Sequence, residues 1–144
     1  MKNTFLILAQ LITILNSFNS EINSFISVKK PIENPFHPSV NQWMVMPRLA
    51  MNTLKQKWKD FVVWYINELG YQNMQIDSCE VEVRTYRKIN REFDLDNTTI
   101  KFIQDGFVES GFLVDDNYKV MKKLTLIGGI DKKKPRTEII IKIL

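Results

Sequence analysis

One apolar stripe constrains this chain more than any other feature. Leu54, Trp58, Phe61, Val62, Tyr65, Ile66 and Leu69 recur at helical spacing and line one continuous face. Asn52 or Thr53 is placed to cap the start of that helix, and Gly70 to end it. An apolar helix face needs a surface to cover, and the chain supplies strands. Residues 78–86, Cys79-Glu80-Val81-Glu82-Val83-Arg84-Thr85-Tyr86 among them, alternate apolar and polar side chains, the pattern of a half-buried strand. Residues 137–143 do the same, with Ile139, Ile141 and Ile143 set against Glu138 and Lys142. A further strand is expected around 118–127, carrying Val120, Leu124 and Leu126, and a short first strand over 25–29. A second helix is expected over 98–108, with Ile100, Ile103 and Phe107 on one face, Asp96 or Asn97 as its cap and Gly111 just past its end.

The resulting order is strand, long loop, helix, strand, helix, strand, strand. It predicts an α/β fold: a single domain with a mixed β-sheet and two main helices packed on one face. Residues 30–51, broken by Pro31, Pro35, Pro38 and Pro47, read as one long irregular segment, with Trp43, Met44 and Met46 as apolar anchors. Gly128-Gly129 followed by Ile130-Asp131-Lys132-Lys133-Lys134-Pro135-Arg136 reads as a turn or hairpin loop of basic character. Lys55, Lys57 and Lys59 crowd the first turns of the long helix, where cations oppose the helix dipole; they are either a solvated face or a phosphate contact.

Composition narrows the chemistry. A chain of 144 residues is long enough to bury its own core. The single Cys79 can form no internal disulfide, and in a strand-like run it reads as a small hydrophobe. A single histidine, His37, excludes multi-histidine metal sites and leaves no spare base for a Ser-His triad, so acid–base work is expected of carboxylates, lysine or water. The formal net charge of +4 favours a polyanionic partner. At the N-terminus Lys2 precedes an apolar run, 5–15, too short for a membrane span, which needs about twenty residues. Three readings fit it: an export signal, a hydrophobic helix packing on the domain or a partner, or an upstream extension. Residues 1–24, with the Ser/Asn-rich stretch 16–24, form an extension and linker; 25–144 form the domain.

Acids stand out in this basic chain. Phe93-Asp94-Leu95-Asp96-Asn97 places two carboxylates at i and i+2, and Asp115-Asp116 adds two more beyond the second helix. Asp-x-Asp-Asn is ordinary helix-start chemistry and Asp-Asp ordinary turn chemistry. Together they also supply the oxygen donors that a hard divalent cation requires. Asp94 and Asp96 can converge if the segment is extended. Asp116 must return along a helix of roughly 16 Å. A connection over 109–115 spans at most about 23 Å, so the return is feasible only if that connection is nearly extended.

Asp94-Leu95-Asp96-Asn97, Lys101, Asp105-Gly106-Phe107-Val108, Gly111 and Val114-Asp115-Asp116-Asn117-Tyr118-Lys119-Val120 resemble the signature of the RusA family of phage-encoded Holliday junction resolvases. Pro38-Ser39-Val40-Asn41-Gln42-Trp43 is similar to that family's loop after the first strand, and Pro135-Arg136-Thr137-Glu138 to its entry into the last one. The resemblance spans residues 25–144. Three residues separate Asn97 from Lys101 where the family pattern has two, which on a helix would turn Lys101 by about 100°.

The resemblance implies a RusA-like fold and a cytoplasmic homodimer, with no membrane association, that cuts four-way DNA by Mg²⁺-dependent hydrolysis, Mn²⁺ substituting. It implies Asp94, Asp96 and Asp116 as metal ligands with Asp115 as auxiliary acid. Lys101 would stabilise the phosphate or the developing charge. Arg84, Arg87, Lys88, Arg91, Lys132, Lys133, Lys134 and Arg136 would grip the flanking DNA. The competing readings are a broader phage nuclease acting on branched DNA, and a non-catalytic DNA-binding domain whose acids only cap and turn.

Overall fold

A computed structural model describes residues 4–7 and 37–144. The element order is β1 (Thr4–Ile7), α1 (Val40–Val45), α2 (Arg48–Glu68), β2 (Cys79–Arg87), a 3₁₀ turn (Leu95–Asn97), α3 (Lys101–Glu109), β3 (Met121–Ile130) and β4 (Arg136–Ile143). The strand order is β1-β4-β2-β3. β2 runs parallel to β3 and antiparallel to β4, and the four-residue β1 pairs antiparallel with the outer side of β4. The mixed sheet expected from the alternating segments is present, with three long strands. The strand expected over 25–29 lies outside the described residues.

Both helices cover one face of that sheet. Trp58, Phe61, Val62 and Ile66 of α2 meet Phe102, Ile103 and Phe107 of α3, and both sets pack on Val81, Val83, Ile139 and Ile141. The opposite face of β2 and β4 carries Glu80, Glu82, Arg84, Glu138 and Lys142; Arg84 pairs with Glu82 along β2, and Arg84–Glu138 and Lys142–Glu80 pair across the strands. Of the seven stripe residues on α2 four are buried. Leu54 and Tyr65 pack at the core's edge, and Leu69, past the helix end, is 40% exposed.

Several boundaries differ from the sequence expectation, each for a local reason. Within 30–51, Ser39 and Gln42 form a capping box: Ser39 Oγ accepts from the Gln42 N–H, and Gln42 Oε1 accepts from the Ser39 N–H. That nucleates α1, which ends at Val45, with Met46, the residue before Pro47, already extended. α2 then begins directly after Pro47, well ahead of Asn52 and Thr53. Neither caps it; Thr53 Oγ1 donates to the Leu49 carbonyl from inside the helix. Lys55, Lys57 and Lys59 therefore lie beyond the first turn, and the dipole argument does not apply to them. Lys55 sits over the Trp43 and Phe102 rings instead, and Lys59 stands 3.9 Å from Glu109.

The glycine pair at 128 and 129 is inside β3 and is not a turn. A methyl group on Gly128 would stand 2.9 Å from Leu95 and 3.0 Å from Phe93; one on Gly129 would stand 2.9 Å from Tyr86. Both positions lack a side chain because neighbours press on the strand from its two faces. The same reasoning explains Gly106 of α3. A Cβ there would lie 2.5 Å from Cβ of Val62, so the two helices approach closely only because the position is glycine.

Candidate functional site

The loop end of the sheet starts where β2 leaves it. Arg87, the last residue of β2, lays its guanidinium on the Phe93 ring at 3.9 Å, folding the segment 88–94 back on the strand. Phe93 and Leu95 press on Gly128, and this anchors the 3₁₀ turn against β3. Asp94 opens the turn in extended conformation with no side-chain capping bond, and Asp96 lies within it. Both carboxylates are exposed. The turn is closed by Thr98, whose N–H and hydroxyl both donate to the Leu95 carbonyl.

The expected caps of the second helix are elsewhere. Residues 98–100 are not helical, and α3 begins at Lys101, whose N–H donates to Thr99 Oγ1. Asn97 has a different partner: its Oδ1 accepts the Asn41 N–H at 3.0 Å, across 56 residues, and so caps α1 from outside. This bond joins two segments of the quoted signature, 38–43 and 94–97. Because the chain between Asn97 and Lys101 is not helical, the extra residue there does not rotate Lys101 around a helix.

Lys101 is the centre of the second cluster. Its Nζ donates to Asp116 Oδ2 at 2.8 Å and stands 3.0 Å from Asp105 Oδ1. Asp116 therefore does return to the N-terminus of α3. The path is held by a bridge between Ile76 and Leu113 and by the Val114 N–H donating to the Ile76 carbonyl. Asp115 orients the turn: its Oδ1 accepts the Asp116 N–H at 2.7 Å and its Oδ2 accepts from the Asn117 amide at 2.5 Å. The hydrogen bond to Asp116 holds the Lys101 pKa above the usual lysine value, supported by Asp105 and opposed by partial desolvation. Lys101 is thus a fixed ammonium at neutral pH and not a proton acceptor.

Asp105 was quoted from the sequence only as part of the signature, and its placement makes it a site residue. The signal was available, since Lys101 and Asp105 are four apart on one helix. Among the described residues, no three His, Cys, Asp or Glu side chains are gathered so as to hold a metal ion. Asp94 and Asp96 sit on the 3₁₀ turn and Asp116 sits with Lys101.

The expected DNA-binding cations also divide. Arg84 donates from Nε to Glu82 Oε1 at 2.5 Å, and its Nη1 lies 3.8 Å from Glu138. Arg136 donates to Glu138 and to Asp131, each at 2.7 Å, and covers the Tyr86 ring at 4.3 Å. Asp131 is the knot of the 131–135 loop: its Oδ1 accepts the Lys133 and Lys134 N–H groups. Those bonds, above all from the Lys134 N–H and then Arg136, hold its carboxyl below the ordinary range. Arg87, Lys88, Arg91, Lys132, Lys133 and Lys134 are exposed.

His37 lies beside this region with its ring 5.2 Å from Trp58 and 5.1 Å from Phe102. Its Nδ1 meets the Pro38 carbonyl, while Nε2 is buried without a partner among the described residues. Burial lowers its pKa, more than the Pro38 bond raises it. The ring packs between Trp58 and Phe102, and its lowered pKa favours the neutral form.

No protein-family model matches the chain, and no curated protein matches it. Among the described residues no helix is long and apolar enough to cross a membrane.

Proposed function

We propose that this chain is a Mg²⁺-dependent endodeoxyribonuclease with a RusA-like fold, resolving four-way DNA junctions as a homodimer by paired hydrolysis of opposed strands. The observation that carries the reading is the contact between Lys101 and Asp116, which unites two signature segments fifteen residues apart in sequence. The bond from Asn41 to Asn97 adds support by joining two others.

The donor atoms are of the kind the metal takes, and among the described residues they stand in two groups that a cation would have to draw together. Exposed and half-buried carboxylates are the hard oxygen ligands that Mg²⁺ takes. Between Asp105 and Asp116 an ammonium already stands where negative charge has gathered. Asp94, Asp96 and Asp116 would hold the cation, with Asp115 fixing the backbone before Asp116. Bound Mg²⁺ supplies Lewis acidity toward a phosphate oxygen and water. Lys101 keeps Asp116 in place and, as a permanent cation, offsets charge on a scissile phosphate. The exposed cations after β2 hold the flanking strand.

The second reading is a non-catalytic DNA-binding domain. Lys101 favours it by serving as internal counter-ion to both Asp105 and Asp116. Incubation with a labelled four-way junction, a branched fork and a linear duplex, with Mg²⁺ or with chelator, separates these readings. Paired nicks in the junction alone, dependent on Mg²⁺, support resolution. Equal cutting of fork and junction supports a broader nuclease, and binding without cutting under any divalent cation supports the binder.

A further inference from the structure

Where β2 ends, Tyr86, Arg87, Lys88 and Arg91 face Pro135 and Arg136 across a depression of about 490 Å³. Its lining contains four cations and no carboxylate. The cations are of two kinds. Arg136 is engaged by Glu138 and Asp131 and stacked on Tyr86. Arg84, just below on β2, is engaged by Glu82 and lies near Glu138.

Arg87, Lys88 and Arg91 differ. All three are exposed, and among the described residues no carboxylate comes within ion-pair distance of any of them. Arg87 is also pre-set, because its guanidinium is held over the Phe93 ring at 3.9 Å. Three unneutralised cations on one wall of a concavity suit a run of phosphates, since each phosphate contact releases a condensed counterion. The same wall leads into the acidic turn. Two residues separate Arg91 from Asp94, at most about 11 Å of chain.

We propose that this depression is a binding site for the phosphodiester backbone of a DNA strand, gripped by Arg87, Lys88 and Arg91, with Arg84 and Arg136 confined to holding the sheet together. The choice of DNA as the polymer rests on the nuclease reading; the division of the cations rests on the ion pairs of Arg84 and Arg136 and on the lining of the depression, which does not include Lys132, Lys133 or Lys134.

The test is equilibrium binding of labelled single strand, duplex and four-way junction, in chelator, over a series of salt concentrations. Wild type is compared with three variants: R87A/K88A/R91A, K132A/K133A/K134A and Arg84→Ala. Each multiple variant removes three exposed positive charges, so net charge alone would affect them equally. The first is expected to bind at least about tenfold more weakly than wild type, with the log–log salt slope reduced by about 2 to 3. The second is expected to stay within about threefold of wild type. Arg84→Ala should lower the unfolding midpoint and leave the salt slope unchanged. Equal losses in the two triple variants would overturn the site, as would an unchanged slope in the first or no DNA binding by wild type. Because no divalent cation is present, a failure to cut DNA would sink the nuclease reading without touching this result. Comparison of the three DNA forms shows whether the strand is held single or within a duplex.

Discussion

On the helix-packed face of the sheet, Phe61, Ile66, Ile139 and Ile141 are fully shielded from solvent, whereas beyond the end of β2 Lys88, Arg91, Asp94 and Asp96 are all exposed. The first region is held by apolar contact and by glycines that let backbones touch. The second is held by single directed interactions: Arg87 on Phe93, Asn41 to Asn97, and Lys101 between two carboxylates. The difference teaches where each kind of substitution should register. Stability resides in the core, and the chemistry we propose rests on groups whose charges the fold has left unpaired or only lightly paired.

Phe61→Ala should therefore have the largest effect on stability, about 3–5 kcal/mol, read from urea unfolding. It would empty the centre of the α2–α3 contact, where Phe61 is in ring contact with Trp58, Trp64 and Tyr65. Asn97→Ala lies at the junction of the two regions. Loss of the cap on α1 should cost about 1 kcal/mol, and a wild-type midpoint in that variant would show that the bond to Asn41 carries no weight. A smaller and pH-dependent effect is expected from His37. Its folded pKa lies below the ordinary value of 6.5, so burial of the neutral ring stabilises the fold above about pH 6.5. That contribution is lost as pH falls through the lowered folded value, where the unfolded chain takes up the proton first. Thermal midpoints should fall on acidification from neutral pH, and His37→Phe should flatten that slope.

The fold was largely legible because its core follows simple periods. The stripe on α2 and the alternation in β2 and β4 each mark the face that is buried. What was missed depended on neighbours distant in sequence. Gly128-Gly129 has turn composition, and only the approach of Phe93, Leu95 and Tyr86 explains two glycines inside a strand. Asn97 has the chemistry of a local cap, yet its acceptor serves a helix 56 residues away. The start of α2 is hidden in the sequence because Pro47 sits among other prolines in a loop-like segment, yet a proline can precede a helix as readily as end one. In the candidate site, chain length permitted the return of Asp116 to the start of α3 but tied it to a nearly extended connection, whereas the chain turns at Ser110 and Gly111 and the helix is shorter than expected, Lys101–Glu109. The partition of the cations was only partly legible: Arg84 and Arg136 are held by carboxylates two residues away on their own strands, by the Glu138 that the sheet register sets beside Arg84 and by Asp131 of the preceding loop, whereas among the described residues Arg87 meets no carboxylate.

The most direct measurement sets Asp96→Asn beside wild type in two assays, thermal unfolding and Mg²⁺-dependent cleavage of a synthetic four-way junction. Asp96 is exposed and lies within the 3₁₀ turn, so its neutralisation should change stability by no more than about 0.5 kcal/mol. Wild type should introduce paired nicks, and the variant should bind the junction, melt with wild type and make none. A variant that cuts as well as wild type, or a wild type inert under every divalent cation, would contradict the account and leave Asp94 and Asp96 as turn residues.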